Sequence, residues 1–486
     1  MKKNSNGAPA SAGKARLKPG LHSKLEVIIL AAGLGTRMKS QTVKVLHRAA
    51  GRALIDYVVD LAAEMGEKPI VVIGHQREEV QKHLNDRARF ALQEKQLGTG
   101  HAVLQAVEQL DVKAKDVLVL SGDVPLTRSE TLKALLDEHK RSGNALTLLT
   151  TKLDDAALYG RIVRDAKGDV TRIVEAKDAN EEQRKIREVN AGIYAFEGQH
   201  LADNLRRLST NNAQGEYYLT DLIGMLREGG KRVGALIVDN PIEVLGVNSR
   251  AELATVEAEI QRRVIDRLTE NGVTFRNPST VVIDSLVSIA ADTVIYPFVT
   301  IEGESRIGSG CVIEPGVHLH NVTLGNNVHV KTGTVAEDAV IEDEATIGPY
   351  AHLRPGTRLG KHVKVGNFVE TKQAIFGEGA KASHLSYIGD ADVGADVNIG
   401  AGTITCNYDG VNKHKTILED GVFIGSDTQL VAPVRVGRGA YVGAGSTITK
   451  DVPPDSLALS RVPQKVVAGW AKKRRAEMKK KKKEGS

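Results

Sequence analysis

Along the C-terminal half of the chain, apolar residues recur at every sixth position. Leu418, Ile424, Leu430, Val436, Val442 and Ile448 keep this spacing without a slip. Ile295, Ile301, Ile307, Ile313 and Leu319 keep it as well, and so do Val335, Ile341, Ile347, Leu353, Leu359 and Val365. Gly, Asp or Glu usually follows. A helix repeats near 3.6 residues and a strand near 2, so neither alone has a period of six. Short strands joined by tight turns do, with one side chain per repeat turned into a shared axis. Such a hexapeptide repeat is the mark of a parallel β-helix, with roughly 18 residues to a coil and roughly ten coils over residues 272–464. The beat falters at Asn321-Val322, at about Gln373–Tyr387 and at Asn407–Thr416. The last break is polar and rich in turn residues, so it is expected to loop out of the coil, where binding functions concentrate.

The N-terminal half follows a different pattern. Val27–Leu30 is a wholly apolar run that leads into Ala31-Ala32-Gly33-Leu34-Gly35-Thr36-Arg37-Met38. Further strands are predicted at Pro69–Ile73, Asp116–Leu120 and Ala145–Leu149, with amphipathic helices at Ala53–Met65 and Leu126–Arg141 between them. Buried strands alternating with helices predict a mostly parallel, Rossmann-like α/β sheet, whose ligands bind beyond the carboxyl ends of the strands. Arg250–Thr269 reads as one amphipathic helix, with Leu253, Val256, Ile260, Val264 and Leu268 on a single face, and is expected to act as a rigid spacer. The predicted division is a disordered extension over 1–24, a nucleotide-handling domain over 25–249, a linker helix over 250–271, the β-helix over 272–464 and a basic tail over 465–486.

Composition narrows the class. A chain of 486 residues exceeds what one core usually serves. Aromatics make up only 4%, as expected where thin coils leave little room for rings. The formal net charge is +6, and nine of the basic groups fall in Lys472–Lys483. That run lacks interleaved aromatics and an apolar face, so a solvated terminus is expected rather than nucleic-acid or membrane contact. Cys311 and Cys406 are the only cysteines, residues 1–24 lack the apolar run of a signal peptide, and no stretch is long enough to span a bilayer. A cytoplasmic protein without stable membrane insertion is expected.

The chemistry begins at the glycine loop. G-x-G-x-x-G fails because position 38 is Met, and no P-loop is present. What remains is Gly33-x-Gly35-Thr36-Arg37 with Lys44 beyond it. Glycines let backbone amides approach phosphate oxygens, and Arg37 and Lys44 can neutralise a triphosphate. Asp123 closes an apolar strand, a common place for a metal ligand. One carboxylate beside a nucleotide suits Mg²⁺, and Asn248 is a neutral oxygen donor able to complete the site. In the β-helix, His384 has the chemistry of a general base. Cys406 reads as a small residue on a buried coil rather than as an acyl carrier.

Leu30–Arg37, Gln93–Thr99, Gly122–Pro125, Tyr159-Gly160-Arg161 and Gln214–Tyr218 together resemble the sugar-1-phosphate nucleotidylyltransferases. With the C-terminal repeats, residues 25–470 resemble in order the bifunctional bacterial N-acetylglucosamine-1-phosphate uridylyltransferase and glucosamine-1-phosphate N-acetyltransferase family. The resemblance implies a Rossmann-like nucleotidylyltransferase domain followed by a left-handed parallel β-helix. In the first domain it implies nucleotide and sugar contacts from Leu30, Ala31, Ala32, Gly33, Gly35, Arg37 and Lys44. It further implies uracil reading by Gln93, Gly98 and Thr99, sugar contacts at Gly160, Glu175, Asn190 and Asn248, and Mg²⁺ held by Asp123 and Asn248. In the β-helix it implies His384 as base with Glu370 orienting it, and sugar-phosphate contacts at Arg354, Lys372, Tyr387 and Asn398. Asn407, Tyr408, Ser426, Ala444 and Arg461 fall at acetyl-CoA contacts, and Lys413 at a residue lent by the next subunit. One departure is Ser121, where the family often carries Tyr before Gly-Asp. The implied substrates are glucosamine 1-phosphate, N-acetylglucosamine 1-phosphate, UTP and acetyl-CoA. One β-helix face is too shallow to enclose a sugar phosphate and coenzyme A, so a homotrimer with clefts between copies is expected. An enzyme that keeps only the nucleotidylyl site, with the β-helix for assembly, is the alternative; Arg354, Lys372, His384 and Asn407–Lys413 argue against it.

Overall fold

The computed structural model describes residues 25–484 apart from 34, 67, 111–114 and 157. The extension expected over 1–24 lies outside the described residues. Two compact units result, one ending at Arg263 and the other beginning at Val264.

In the first unit the strands follow the order Val233–Val238, Leu146–Lys152, Glu188–Glu197, Asp116–Ser121, Leu25–Leu30, Ile70–Ile73 and Arg89–Leu92. The last four run parallel, while Glu188–Glu197 is antiparallel to both neighbours. The expected parallel sheet therefore carries one reversed strand along this path, and Arg161–Arg164 with Val170–Val174 extends it as an antiparallel pair off Glu188–Glu197. The strand Leu25–Leu30 is apolar except for Glu26, a buried carboxylate paired with Arg89 and Lys115, because both its faces are covered. Ile29 packs in one core with Ile55, Val58 and Leu132 from the helices Leu54–Met65 and Ser129–Ser142. Ile28 packs in the other with Val103 and Leu222 from Thr99–Val107 and Leu222–Glu228. Burial of each such side chain contributes roughly 1.5–3 kcal/mol. Pairing slips between Asn190, opposite Thr150, and Tyr194, opposite Leu148, so extra backbone bulges out at Ala191–Ile193. Gly192 sits in this bulge at φ +73, a conformation that residues with a Cβ rarely adopt.

The helix Arg250–Glu270 forms as its periodicity predicts, and Val256, Ile260, Val264 and Leu268 are buried. Its first half is not a free rod. The Ala50 amide donates to Glu257 Oε2 at 2.7 Å, and Arg263 Nη1 donates to the Leu126 carbonyl at 2.8 Å, which tie it to the first unit.

The second unit is the β-helix. Ile301 lies opposite Leu319 and Leu319 opposite Ala336, which are coils of 18 and then 17 residues. The shortened coil explains the break at Asn321-Val322. It also moves the inward position from the expected Val335, which is half-buried, to Ala336. At the second break the beat is lost for a different reason. Glu370–Phe376 and Tyr387–Val393 are seven-residue strands that bend at Gln373 and Asp390, both at positive φ, and so join two faces of the coil. At the third break, Thr405 lies opposite Leu430, and the extra chain folds outward with a Tyr408–Lys413 bridge. Cys406 is half-buried rather than fully buried. The basic tail is a helix, Trp470–Glu484, whose described side chains are exposed. Its Ala, Lys, Arg and Glu content favours helix without any packing. No described helix is long and apolar enough to cross a membrane.

Candidate active sites

Leu30 and Ser121, neighbours in the parallel register, end their strands at one edge of the sheet, and the chain turns away from it into the glycine loop. Gly35 adopts φ +62, and a Cβ there would lie 2.7 Å from Lys44 Cβ, so only Gly lets Lys44 pass under the loop. A cavity of about 350 Å³ opens at this edge. Leu30, Ala31, Ala32, Gly33, Lys44, Gln93, Gly98, Thr99 and Asp123 line it, all of them anticipated from sequence. Ser121, the departure from the family's Tyr, lines it too, as do Gln96 and Glu216, which lie within the motifs Gln93–Thr99 and Gln214–Tyr218 without an assigned contact. Gly35 and Arg37 lie on the loop outside this lining, with Arg37 exposed to solvent.

Gln93 is buried and donates through Nε2 to the Gly98 carbonyl at 3.0 Å, which fixes its side amide in the cavity wall. Thr99 Oγ1 accepts from the Leu219 amide, fixing the end of the helix that follows. The Lys44 ammonium pairs with Asp123 Oδ2 and donates to Asn248 Oδ1 at 3.3 Å. Asn248 Nδ2 donates to the Gly246 carbonyl, and the Val247 amide donates to the Asp123 carbonyl. Two oxygens from distant segments thus converge on one cation-sized point. Mg²⁺ asks for that donor chemistry, one carboxylate and neutral oxygens with room left for phosphate. Among the described residues no cluster of three or more acidic, His or Cys side chains offers a self-sufficient metal cage.

Gly160, Glu175 and Asn190 gather beside this cavity rather than in it. The Asn190 amide donates to the Gly160 carbonyl at 2.9 Å, and a Cβ on Gly160 would sit 3.4 Å from Glu175 Oε1. Burial pushes the Glu175 carboxyl above its ordinary range; Thr220 opposes this with a hydrogen bond, and Asp178 and Asp221 add to it. Such a carboxyl holds its proton more readily than one in solvent.

In the β-helix, Arg354 and Lys372 extend from one face, with Glu370 and Tyr387 paired on adjacent coils. Within this chain Glu370, expected to orient His384, bonds to Arg354 instead. Its Oε1 accepts from Arg354 Nη1 at 2.7 Å, because that guanidinium projects from the preceding coil on the same face. No hydrogen bond joins Glu370 to His384 among the described residues. Lys413, expected to reach another copy, lies beside Lys372 of its own chain. Lys413 and then Arg354 hold the Lys372 ammonium below its ordinary range. Three cations gather near the two carboxylates Glu370 and Asp390, and the surplus positive charge suits an anion. His384 ends the strand Lys381–His384, and across the corner at Leu385 the chain resumes at Tyr387. Asn398 stands on the same face as Lys381, one coil on.

Ala382, Ile399, Ile424 and Val442 stack in register. Two residues further along each coil fall His384, Ala401, Ser426 and Ala444, so the base candidate and two acyl-donor positions share one line. Arg461 Nη1 donates to the Ala444 carbonyl at 2.9 Å and completes it. Asn407 is buried and donates to Asp390, while the Tyr408 hydroxyl donates to the Gly410 carbonyl inside its loop. Asp409 stiffens that loop by accepting from the Val411 and Asn412 amides and from His414, which lower its pKa far below the carboxylate range.

Residues 27–211 match the MobA-like NTP transferase domain. Residues 338–373 and 415–450 match the bacterial transferase hexapeptide (six repeats), and residues 298–335 the hexapeptide repeat of succinyl-transferase. The chain is 53% identical over 451 residues to the bifunctional protein GlmU of Syntrophotalea carbinolica, which covers 92% of this chain and 97% of that protein. It is 50% identical over 471 residues to GlmU of Geobacter metallireducens, covering 93% and 99%. It is also 50% identical over 455 residues to GlmU of Fervidobacterium nodosum, covering 94% and 99%.

Proposed function

This chain belongs to the family of the bifunctional GlmU proteins, and from its geometry we propose how the family's two reactions are divided between its two units. The protein is a transferase of UDP-N-acetylglucosamine synthesis. It acetylates glucosamine 1-phosphate and transfers uridylyl to N-acetylglucosamine 1-phosphate.

We assign uridylyl transfer to the cavity at the strand ends. Gln93, Gly98 and Thr99 hold the base, the glycine loop with Arg37 and Lys44 faces the phosphates, and Gly160, Glu175 and Asn190 hold the sugar. A phosphate oxygen of the sugar attacks the α-phosphorus of UTP, the bond to the β-phosphate oxygen breaks, and pyrophosphate leaves. No protein nucleophile is needed, because alignment and charge neutralisation suffice. Asp123 and Asn248 would hold Mg²⁺, which when bound neutralises charge on the phosphates. The observation that carries this reading is the convergence of Asp123 Oδ2 and Asn248 Oδ1 on the Lys44 ammonium.

We assign acetyl transfer to the β-helix. Arg354, Lys372 and Lys413 bind the sugar phosphate with Tyr387 and Asn398. Acetyl-CoA runs along the line of Ser426, Ala444 and Arg461, with Asn407 and Tyr408 beside it. His384 takes the proton from the 2-amino group as its nitrogen attacks the thioester carbonyl; the C–S bond breaks and coenzyme A leaves. A homotrimer completes these clefts. Beside His384 the ring-stacked Tyr350 and Phe368 and the adjacent Leu385 are 53, 58 and 62% exposed, an apolar column that a second copy would cover. A solution mass near three chains of 52.2 kDa is expected, and a monomer at micromolar concentration contradicts the trimer. Both cysteines are free thiols, in keeping with a cytoplasmic enzyme.

Chelation tests the division of labour. Excess EDTA is expected to lower uridylyl transfer by about 10³-fold and leave acetyl transfer within about twofold, since only one site depends on a metal. Equal loss of both reactions contradicts the assignment.

A further inference from the structure

Asn190 reaches its place through the bulge in the strand Glu188–Glu197, and a bulge is soft backbone unless something holds it. Here the Asn190 side amide and both backbone groups of Gly192 are held. Asn190 Nδ2 donates to the Tyr194 hydroxyl at 2.6 Å, and Asn190 Oδ1 accepts from the Gly192 amide at 3.0 Å. The Gly192 carbonyl accepts from Ser121 Oγ at 3.1 Å. Tyr194 is 5% exposed and lines no part of the nucleotide cavity, whereas Ser121 stands in that cavity's wall, two residues before Asp123. The chain Tyr194–Asn190–Gly192–Ser121 therefore runs from the core, through the side amide of Asn190, to the nucleotide site.

We propose that Tyr194 and Ser121 are positioning residues for the sugar: they clamp the Gly192 bulge and fix which way the Asn190 amide faces. The inference rests on the reading of Asn190 as a sugar contact. With one Nδ2 hydrogen and one Oδ1 lone pair spent internally, Asn190 presents one donor and one acceptor in fixed directions, which suits adjacent hydroxyl or amide groups of a hexose. The short Ser121 side chain is what lets a hydroxyl meet the Gly192 carbonyl. A tyrosine at this position, as the resemblance leads one to expect, would have to point its ring elsewhere, so the clamp is a property of this chain.

The test uses the full-length enzyme and steady-state uridylyl transfer, with KM taken separately for N-acetylglucosamine 1-phosphate and for UTP. Tyr194→Phe and Ser121→Ala are each expected to raise the sugar-phosphate KM about fivefold to tenfold, with the UTP KM within about twofold. Ser121→Thr, which keeps the hydroxyl, is expected to restore the wild-type value. Asn190→Ala should raise the sugar KM at least as much, and Tyr194→Phe added to it should cost nothing further, because the group being positioned is gone. If Asn190→Ala raises the sugar KM and Tyr194→Phe does not, the clamp is wrong while the sugar reading stands. If Asn190→Ala leaves the sugar KM unchanged, both are wrong. Additive losses that weaken UTP and sugar alike make Tyr194 a packing residue only and overturn the proposal.

Discussion

Asp123→Asn is expected to lower uridylyl transfer by about 10³–10⁴-fold while acetyl transfer stays within about twofold of wild type. The substitution keeps shape and one oxygen but removes the charge. In the free chain that charge is met by the Lys44 ammonium, with the two side chains 15 and 17% exposed. On the assignment proposed above, the same carboxylate would hold the divalent cation that neutralises the phosphates, and several kcal/mol of charge stabilisation would depend on it. The variant also leaves Lys44 without a counter-charge in a partly desolvated place, so a small loss of stability accompanies the loss of rate. Pyrophosphate release and thiol release, followed in one preparation, separate the two activities. A uridylyl rate within tenfold of wild type would remove Asp123 from the metal site.

His384→Asn has the converse effect. Acetyl transfer is expected to fall about 10²–10⁴-fold, the range a positioned base supplies, with uridylyl transfer unchanged. The cations Arg354, Lys372 and Lys413 remain in place, so the KM for glucosamine 1-phosphate should hold within about threefold while kcat carries the loss. Without the base the attacking amine must already be free, so the residual rate should climb with pH through the titration of the substrate amine. A loss shared between KM and kcat, or no loss, argues that His384 is a surface histidine at a coil corner.

Much of this architecture was legible in the chain. The hexapeptide beat set the solenoid because a buried Ile, Leu or Val is needed at each strand, and even its failures had meaning. The break at Asn407–Thr416 was read correctly as an outward loop, since Asp409, Gly410 and Asn412 are turn formers. The break at Gln373–Tyr387 could not be interpreted, because a seven-residue strand rounding a corner keeps its burial but loses its period. A slip of one residue likewise passed from Val335 to Ala336 unseen.

Site membership was more legible than partnership. The residues that line the nucleotide cavity come from loops at the strand ends, where local motifs mark them. Which carboxylate answers which base is set by coil register, which local motifs do not show, and within one chain Glu370 pairs with Arg354. Tyr194 left no trace in the sequence pattern. A buried tyrosine in an apolar strand reads as core, and its hydroxyl gains meaning only when the bulge brings Asn190 back onto it. The tail helix went unread for the opposite reason, since its order comes from propensity without packing.

Phosphorus NMR shows most directly whether both sites work and act in sequence. Purified protein is given glucosamine 1-phosphate, UTP and Mg²⁺, and spectra are taken before and after acetyl-CoA is added. Pyrophosphate and a UDP-sugar are expected only after acetyl-CoA is present. Equal formation of UDP-glucosamine without it would contradict the account and leave the β-helix as a scaffold.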